Sequence, residues 1–182
     1  QHLVGLRLGR TPARPHGGRQ VRGIAPGVSE VLFYHLDRQP LERVLPGLLE
    51  KCLERGWRTV VQFGSEERMD AIDAHLWTYR DDAFLAHGAA GAGNRDGSDF
   101  ARLQPIWLTT EDENPNGARF LFLTDGAVSE KVGEFERVFE LFDGRNDDAV
   151  AAARGRWKDY KDAGHTLAYW RQTDAGGWEK AG

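Results

Sequence analysis

Apolar positions in the first half of the chain alternate between short continuous runs and helical stripes. Residues 31–36 form a β-rich apolar run. The apolar residues after it recur every three or four positions and end before Gly56, as on one buried helix face: Leu41, Val44, Leu45, Leu48, Leu49, Cys52 and Leu53. Residues 57–63 resemble a second strand, and Ser65 can cap a second helix with Met69, Ile72 and Leu76 inside. This order of elements favours right-handed crossovers and a parallel sheet.

The second half of the chain continues the alternation. Glycines predict a loop over 84–99, and strands are predicted at 105–110 and 119–124, on either side of a turn at 113–117. The spacing of Phe135, Val138, Phe139 and Phe142 predicts a helix that closes at residues 143–144. A last helix over 147–163 and a strand over 165–172 follow. We therefore predict a single-domain α/β fold, Rossmann-like, with a mainly parallel central sheet and helices on both faces.

The two ends of the chain differ from this pattern. Residues 1–29 carry five arginines and no acidic residue, are interrupted by prolines and glycines, and lack an apolar core of the kind that signal peptides have. We predict that they form a disordered basic extension, either a leftover of cloning or a gene start placed too far upstream, with a nucleic-acid-binding arm as the alternative. The predicted α/β domain covers 30–173, and residues 174–182 are predicted to be a flexible tail.

Charge and motifs limit the chemistry. Beyond the basic extension, 19 basic and 28 acidic side chains remain, so we expect contact with DNA only indirectly. The glycines at 88–93 read G-x-x-G-x-G, unlike a phosphate-binding loop, and the six histidines lack zinc-ligand spacing. We therefore predict no cofactor, no metal and no catalytic residue. Apolar runs are too short to span a membrane, and the single Cys52 suits a reducing cytoplasm.

Three segments of the chain carry a resemblance to a known family. They are Leu76-Trp77-Thr78-Tyr79 followed by Phe84-Leu85-Ala86-His87-Gly88, the turn at 113–118, and Arg154-Gly155-Arg156-Trp157-Lys158-Asp159-Tyr160-Lys161-Asp162-Ala163-Gly164. In order and spacing these segments resemble the chi subunit of bacterial DNA polymerase III, over roughly residues 31–172. The last segment is the most specific of the three.

The resemblance implies a non-catalytic accessory subunit of the replication machinery. Such a subunit binds psi, which links it to the clamp loader, and the acidic C-terminal tail of single-stranded-DNA-binding protein. The residues it assigns to the tail site are Val150, Arg154, Trp157 and Lys158, and those it assigns to psi or a helicase-like partner are Trp77 and Phe84. The family has a lysine where this chain has Val150, so Lys158 or Lys161 is expected to supply that charge.

Other interpretations of the same residues stay open at this point. Val150 and Trp157 also fit the core stripe of the last helix, with Arg154 and Lys158 on a solvated face, and Trp77 and Phe84 can cap a core. Alternative functions are a small nucleotide-binding-like enzyme and a protein that binds single-stranded DNA directly through residues 1–29. The absence of a phosphate-binding loop and of a catalytic cluster from the sequence favours a non-catalytic adaptor that binds two other proteins.

Overall fold

A parallel sheet with helices on both faces positions every residue discussed below. The computed structural model describes residues 27–91 and 98–182, apart from the side chain of residue 98. The strands are β1 (Glu30–Leu36), β2 (Thr59–Gln62), β3 (Gly88–Ala89), β4 (Ile106–Thr109), β5 (Phe120–Leu123), β6 (Arg137–Asp143), β7 (Thr166–Gln172) and β8 (Trp178–Lys180). The helices are α1 (Leu41–Glu54), α2 (Glu66–Thr78), α3 (Ser98–Leu103) and α4 (Asp147–Asp162), with a 3-10 turn at Val132–Glu134.

The eight strands form one sheet in the order β3-β4-β2-β5-β6-β1-β7-β8. All neighbours pair in parallel except β7 and β8, which are antiparallel. Helices α1 and α2 pack on one face, whereas α4 packs on the other. The prediction of a mainly parallel α/β sheet covered on both faces is therefore confirmed.

The first helices form where the sequence pattern predicts them. The apolar stripe of α1, including Leu45, Leu49 and Cys52, is buried against the sheet. Helix α2 begins at Ser65, whose hydroxyl accepts a hydrogen bond from the Arg68 backbone N–H, as expected for a helix cap. In β1, Leu32 and Leu36 pack on the α1 side while Val31 and Phe33 pack on the α4 side, so the strand has apolar residues on both faces.

The helix predicted around Phe135 to Phe142 is wrong. Residues 137–143 form β6, a central strand between β5 and β1. Its Val138 and Phe142 face α4, and its Phe139 and Leu141 face α1. Because both faces of a central parallel strand are buried, the apolar residues do not alternate with polar ones, and their spacing can match a helical period by coincidence.

The folded part of the chain extends beyond the predicted domain bounds of 30 and 173 at both ends. The expected flexible tail over 174–182 carries β8, and Trp178 packs edge-on against Tyr34 with ring centroids 4.7 Å apart. The predicted disordered extension over 1–29 lies outside the described residues as far as residue 26. Ser29 is fully buried, and its hydroxyl donates to the carbonyl of Val132 at 2.6 Å, so the folded unit begins before residue 30.

The turn at 113–117 does not join paired strands. Strands β4 and β5 both pair in parallel with β2, one on each side, and the turn returns the chain between them. Gly117 has φ of +63°, and the buried amide of Asn116 donates to the carbonyls of Thr59 and Gln104 at 3.2 and 3.0 Å. These two residues therefore have a structural role at the start of β2 and the end of α3.

A close backbone approach at the carboxyl end of the sheet gives a test of the fold. A Cβ atom added to Gly64 would lie 2.2 Å from the carbonyl oxygen of Asp125, whose own φ is +52°. Gly64→Ala should therefore lower the free energy of unfolding by about 1–3 kcal/mol. Gly47→Ala, on the exposed side of α1 with no atom near its added Cβ, should raise it by about 0.5–1 kcal/mol. Urea unfolding of both variants measures this, and equal stability of the two would contradict the described loop packing.

Candidate partner-binding sites

A pocket of about 370 Å³ lies between α4 and the strands beneath it. Its lining residues come from β1, β6, α4 and β7: Phe33, Phe142, Val150, Ala153, Arg154, Trp157 and Tyr169. The Asn146 side chain caps the start of α4 by accepting hydrogen bonds from the backbone of Asp148 and Ala149. Ala153 is the only residue of α4 that is buried, so the small side chain leaves space beside the aromatic floor. We call this space the α4 pocket.

Trp157 forms one wall of the α4 pocket. Its ring packs edge-on against Phe33 and Tyr169, with centroids 5.1 and 6.1 Å away, and the side chain is half-buried. Trp157 is therefore both part of the α4 packing and accessible from the pocket. Val150, one of the predicted site residues, lies in the same wall.

The two predicted cations of α4 have different surroundings. Arg154 is exposed, lines the α4 pocket, and forms no ion pair with any residue of 27–91 or 98–182. Lys158 is 78% exposed and its ammonium lies 3.2 Å from the Asp162 carboxylate, one turn further along the helix. The structure thus brings Val150, Arg154 and Trp157 together, while Lys158 lies outside the pocket lining.

Arg156 points to the opposite side of α4 and meets a buried carboxylate. Its Nε donates to both oxygens of Glu140, at 3.0 and 3.1 Å, and the Tyr160 hydroxyl donates to Glu140 at 2.8 Å. Glu140 belongs to β6 and is only 1% exposed. The sequence pattern does not reveal this group, because the apolar spacing around Glu140 predicts a helix; a single acidic residue within an apolar run is the available signal.

The surroundings of Glu140 shift the pKa of its carboxyl group and that of the Tyr160 hydroxyl. Burial raises the pKa of Glu140, and Arg156 and the Tyr160 hydroxyl oppose that rise. Burial together with the Glu140 charge also raises the pKa of Tyr160, so its hydroxyl keeps its proton and acts as a donor. This three-residue cluster, which we call the Glu140 anchor, ties the C-terminal half of α4 to the middle of the sheet.

A second candidate surface lies on the opposite face, where α2 ends. Trp77 and Phe84 are 54% and 75% exposed, and their ring centroids are 6.0 Å apart. Trp77 also packs 4.6 Å from the buried ring of His87, whose Nε2 lies 3.0 Å from the Asp73 carboxylate. Both rings are more than half exposed, although Trp77 covers the buried His87 ring. We call them the aromatic pair.

A larger cavity, about 540 Å³, lies at the carboxyl ends of the strands, between the N-termini of α1 and α4. Nucleotide-binding α/β proteins use this location for their ligands. The arginines that border the cavity are each paired with carboxylates: Arg68 with Glu42 and Asp125, Arg145 with Asp143, and Arg156 with Glu140. Their positive charge is therefore largely neutralised.

Metal ligands and membrane-spanning helices can be assessed over residues 27–91 and 98–182. Within that part of the chain, no group of three or more His, Cys, Asp or Glu side chains is arranged to hold a metal ion. None of the described helices has the length and apolar character needed to cross a membrane.

Comparison with known proteins adds the family. The model for "DNA polymerase III chi subunit, HolC" matches residues 28–168. The chain belongs to this chi subunit family. The family model is described as that of a subunit of DNA polymerase III. The matched range includes all of α4, the helix that carries the motif at 154–164 and contributes Val150, Ala153, Arg154 and Trp157 to the α4 pocket.

A curated relative agrees with the chi assignment. A "Probable DNA polymerase III subunit chi" from Rickettsia prowazekii (strain Madrid E) is 29% identical over 111 residues. The alignment covers 59% of this chain and 64% of the relative, which is less than two thirds of the relative's length. Among solved structures, the C-terminal domain of the DEAD-box protein Dbp5 matches with a TM-score of 0.52 and 11% identity, over 79% of this chain and 91% of that domain. At that identity the match shows the α/β fold alone.

The Glu140 anchor gives a stability prediction for this chi-family chain. Arg156→Ala leaves a buried carboxylate without its charge partner, which should lower the free energy of unfolding by about 3–5 kcal/mol. Glu140→Gln combined with Arg156→Met removes both charges and keeps an acceptor for Tyr160, so the double variant should be clearly more stable than Arg156→Ala. Urea unfolding compares the two. A double variant no more stable than the single one would show that the ion pair is not what Arg156 contributes.

Proposed function

We propose that this chain is a non-catalytic adaptor of the DNA polymerase III holoenzyme in the bacterial cytoplasm. One surface, the α4 pocket, binds the acidic C-terminal tail of single-stranded-DNA-binding protein. The other, the aromatic pair, binds psi and through it the clamp loader, or a helicase-like partner instead. The observation that carries the proposal is an apolar pocket with an arginine at its rim that has no carboxylate partner among the described residues.

The chemistry of the α4 pocket suits a peptide that ends in phenylalanine after acidic residues. Its floor and wall are aromatic, with Phe33, Trp157 and Tyr169 able to surround a further ring by edge-on contacts. Arg154 at the rim can form charge-assisted hydrogen bonds to a terminal carboxylate or an acidic side chain. The surrounding protein is acidic, so such a peptide would bind only where a local cation offsets the repulsion.

The positions of the two surfaces support a bridging role. The α4 pocket opens on the α4 face of the sheet beside β1 and β7, whereas α2 packs on the opposite face near β3 and β4. Several strands separate these positions in the sheet order. A protein bound at one surface therefore leaves the other accessible, which is what an adaptor requires.

The alternative functions have less support. A nucleotide-binding enzyme would use the cavity at the carboxyl ends of the strands, where the arginines already pair with carboxylates. Direct binding of single-stranded DNA depends on the arginine-rich segment, which lies outside the described residues as far as residue 26. The adaptor is the function that the described contacts favour.

Tail binding should depend on Arg154. With a fluorescent peptide of the single-stranded-DNA-binding protein tail, Arg154→Ala should weaken binding by about 10- to 150-fold, because a charge-assisted hydrogen bond contributes about 1.5–3 kcal/mol. Lys51→Ala removes a positive charge from an exposed position of α1, on the opposite face of the sheet, and should have a small effect. Arg156→Ala is unsuitable as a control because it breaks the Glu140 anchor. Equal, small losses for Arg154→Ala and Lys51→Ala in folded proteins would reject the α4 pocket as the tail site.

The aromatic pair should be dispensable for folding and necessary for the second partner. Trp77→Ala or Phe84→Ala should change the free energy of unfolding by no more than about 0.5–1 kcal/mol, because both side chains are largely exposed. Each should weaken capture of psi or a helicase-like protein strongly, since buried aromatic anchors dominate interfaces. Val128→Ala removes another exposed apolar side chain and serves as the control. Unfolding of the two aromatic variants, or unchanged capture, would contradict this assignment.

A further inference from the structure

Strand β7 forms the outer wall of the α4 pocket and extends beyond it. Leu167 and Tyr169 pack on the α4 side of the sheet, and Ala168 and Trp170 pack on the α1 side. This alternation places Arg171 on the α4 side, beside Tyr169, whose ring lines the pocket. Residues two apart on a strand are separated by about 6.6 Å, so the guanidinium of Arg171 is within reach of the pocket rim.

The residues next to Arg171 come from β1 and β7. It lies opposite His35 of β1 in the strand register, and the ring of His35 hydrogen-bonds to the Tyr169 hydroxyl. Burial raises the pKa of Tyr169, while the positive charges of Arg171 and Arg154 both oppose that rise. The positive charges of both arginines, one on β7 and one on α4, therefore influence the same hydroxyl.

Arg171 is also weakly held. Its side chain is 49% exposed, and its nearest carboxylate partner, Asp37, is 3.5 Å away, beyond the usual hydrogen-bond range. The other oxygen of Asp37 is buried and has no hydrogen-bond partner among the described residues. Glu179 lies opposite Arg171 in the β7–β8 register but forms no ion pair with it, so the long contact to Asp37 leaves most of the donors of Arg171 available. Lys158, in contrast, pairs with Asp162. Both residues follow Arg154 along α4, toward the end of the helix.

We propose that Arg171 is the second cation of the tail site, and that an acidic peptide leaves the α4 pocket along β7 instead of along α4 toward Lys158. This inference rests on the proposed function of the α4 pocket and adds a direction to it. With a terminal phenylalanine in the pocket and Arg154 at its rim, Arg171 meets the acidic side chain about two residues before the end, because an extended peptide advances about 6.6 Å in two residues. Specificity for an acidic tail then comes from two arginines on different elements.

The test is a fluorescence-anisotropy titration of the full chain with a synthetic peptide of four aspartates, one small residue and a terminal phenylalanine, so that an aspartate lies two residues before the end. Arg171→Gln should weaken binding by roughly 5- to 30-fold, and Lys158→Gln by less than about twofold. Arg171→Lys should keep most of the affinity. Asp37→Asn, which frees Arg171 from its acidic neighbour, should strengthen binding, an outcome that partial unfolding cannot produce.

Matched peptides separate failure of this inference from failure of the proposed function. In a peptide whose aspartates are all replaced by asparagine, Arg171→Gln should have no further effect, while Arg154→Gln should still weaken binding through the terminal carboxylate. If Arg154→Gln weakens the acidic peptide but Arg171→Gln and Asp37→Asn leave it unchanged, the path along β7 is wrong and the pocket assignment stands. If neither the wild-type chain nor any variant binds the peptide, the proposed function itself is wrong.

Discussion

The buried carboxylate of Glu140 is the contact on which the position of α4 depends. This helix contributes one buried residue, Ala153, so apolar packing alone holds it weakly compared with α1. Arg156 and Tyr160 bind Glu140 from one side of α4, which fixes the rotation of the helix about its axis. With that rotation fixed, Trp157 faces Phe33 and Arg154 reaches the pocket rim. A buried ion pair adds less stability than an apolar contact of similar size, but it restricts geometry. We infer that its role here is to position the proposed site.

The parallel sheet separates two surfaces that differ in chemistry. The α4 pocket combines an aromatic interior with positive charge at its rim, which suits a short acidic segment. The aromatic pair is exposed and apolar, which suits the packed core of a protein interface. Because the sheet lies between them, the two surfaces have no residue in common. The fold that in other α/β proteins presents a cofactor is here proposed to present two unrelated peptide or protein contacts.

Much of the fold could be predicted from local pattern, and the misses have physical causes. The stripes of α1 and α2 and the capped start of α2 were visible because one face of each is buried. The pattern of β6 predicts a helix, because apolar and polar residues do not alternate along a strand that is buried on both faces. Arg154 and Trp157 could be singled out from their motif. Glu140 and Arg171 could not, because their significance depends on contacts between elements distant in sequence: β6 with α4, and β7 with β1.

Tryptophan indole resonances give the most direct test of the central claim, that two separate surfaces bind two partners. The chain has six tryptophans, and each contributes one indole N–H signal that a Trp→Phe substitution can assign. Titration with the tail peptide of single-stranded-DNA-binding protein should shift the Trp157 signal and leave Trp77 unchanged. Psi, or a helicase-like partner, should shift Trp77 and leave Trp157 unchanged, whether or not the tail peptide is present. A tail peptide that shifts Trp77 instead of Trp157, or a second partner that displaces the peptide, would contradict the account.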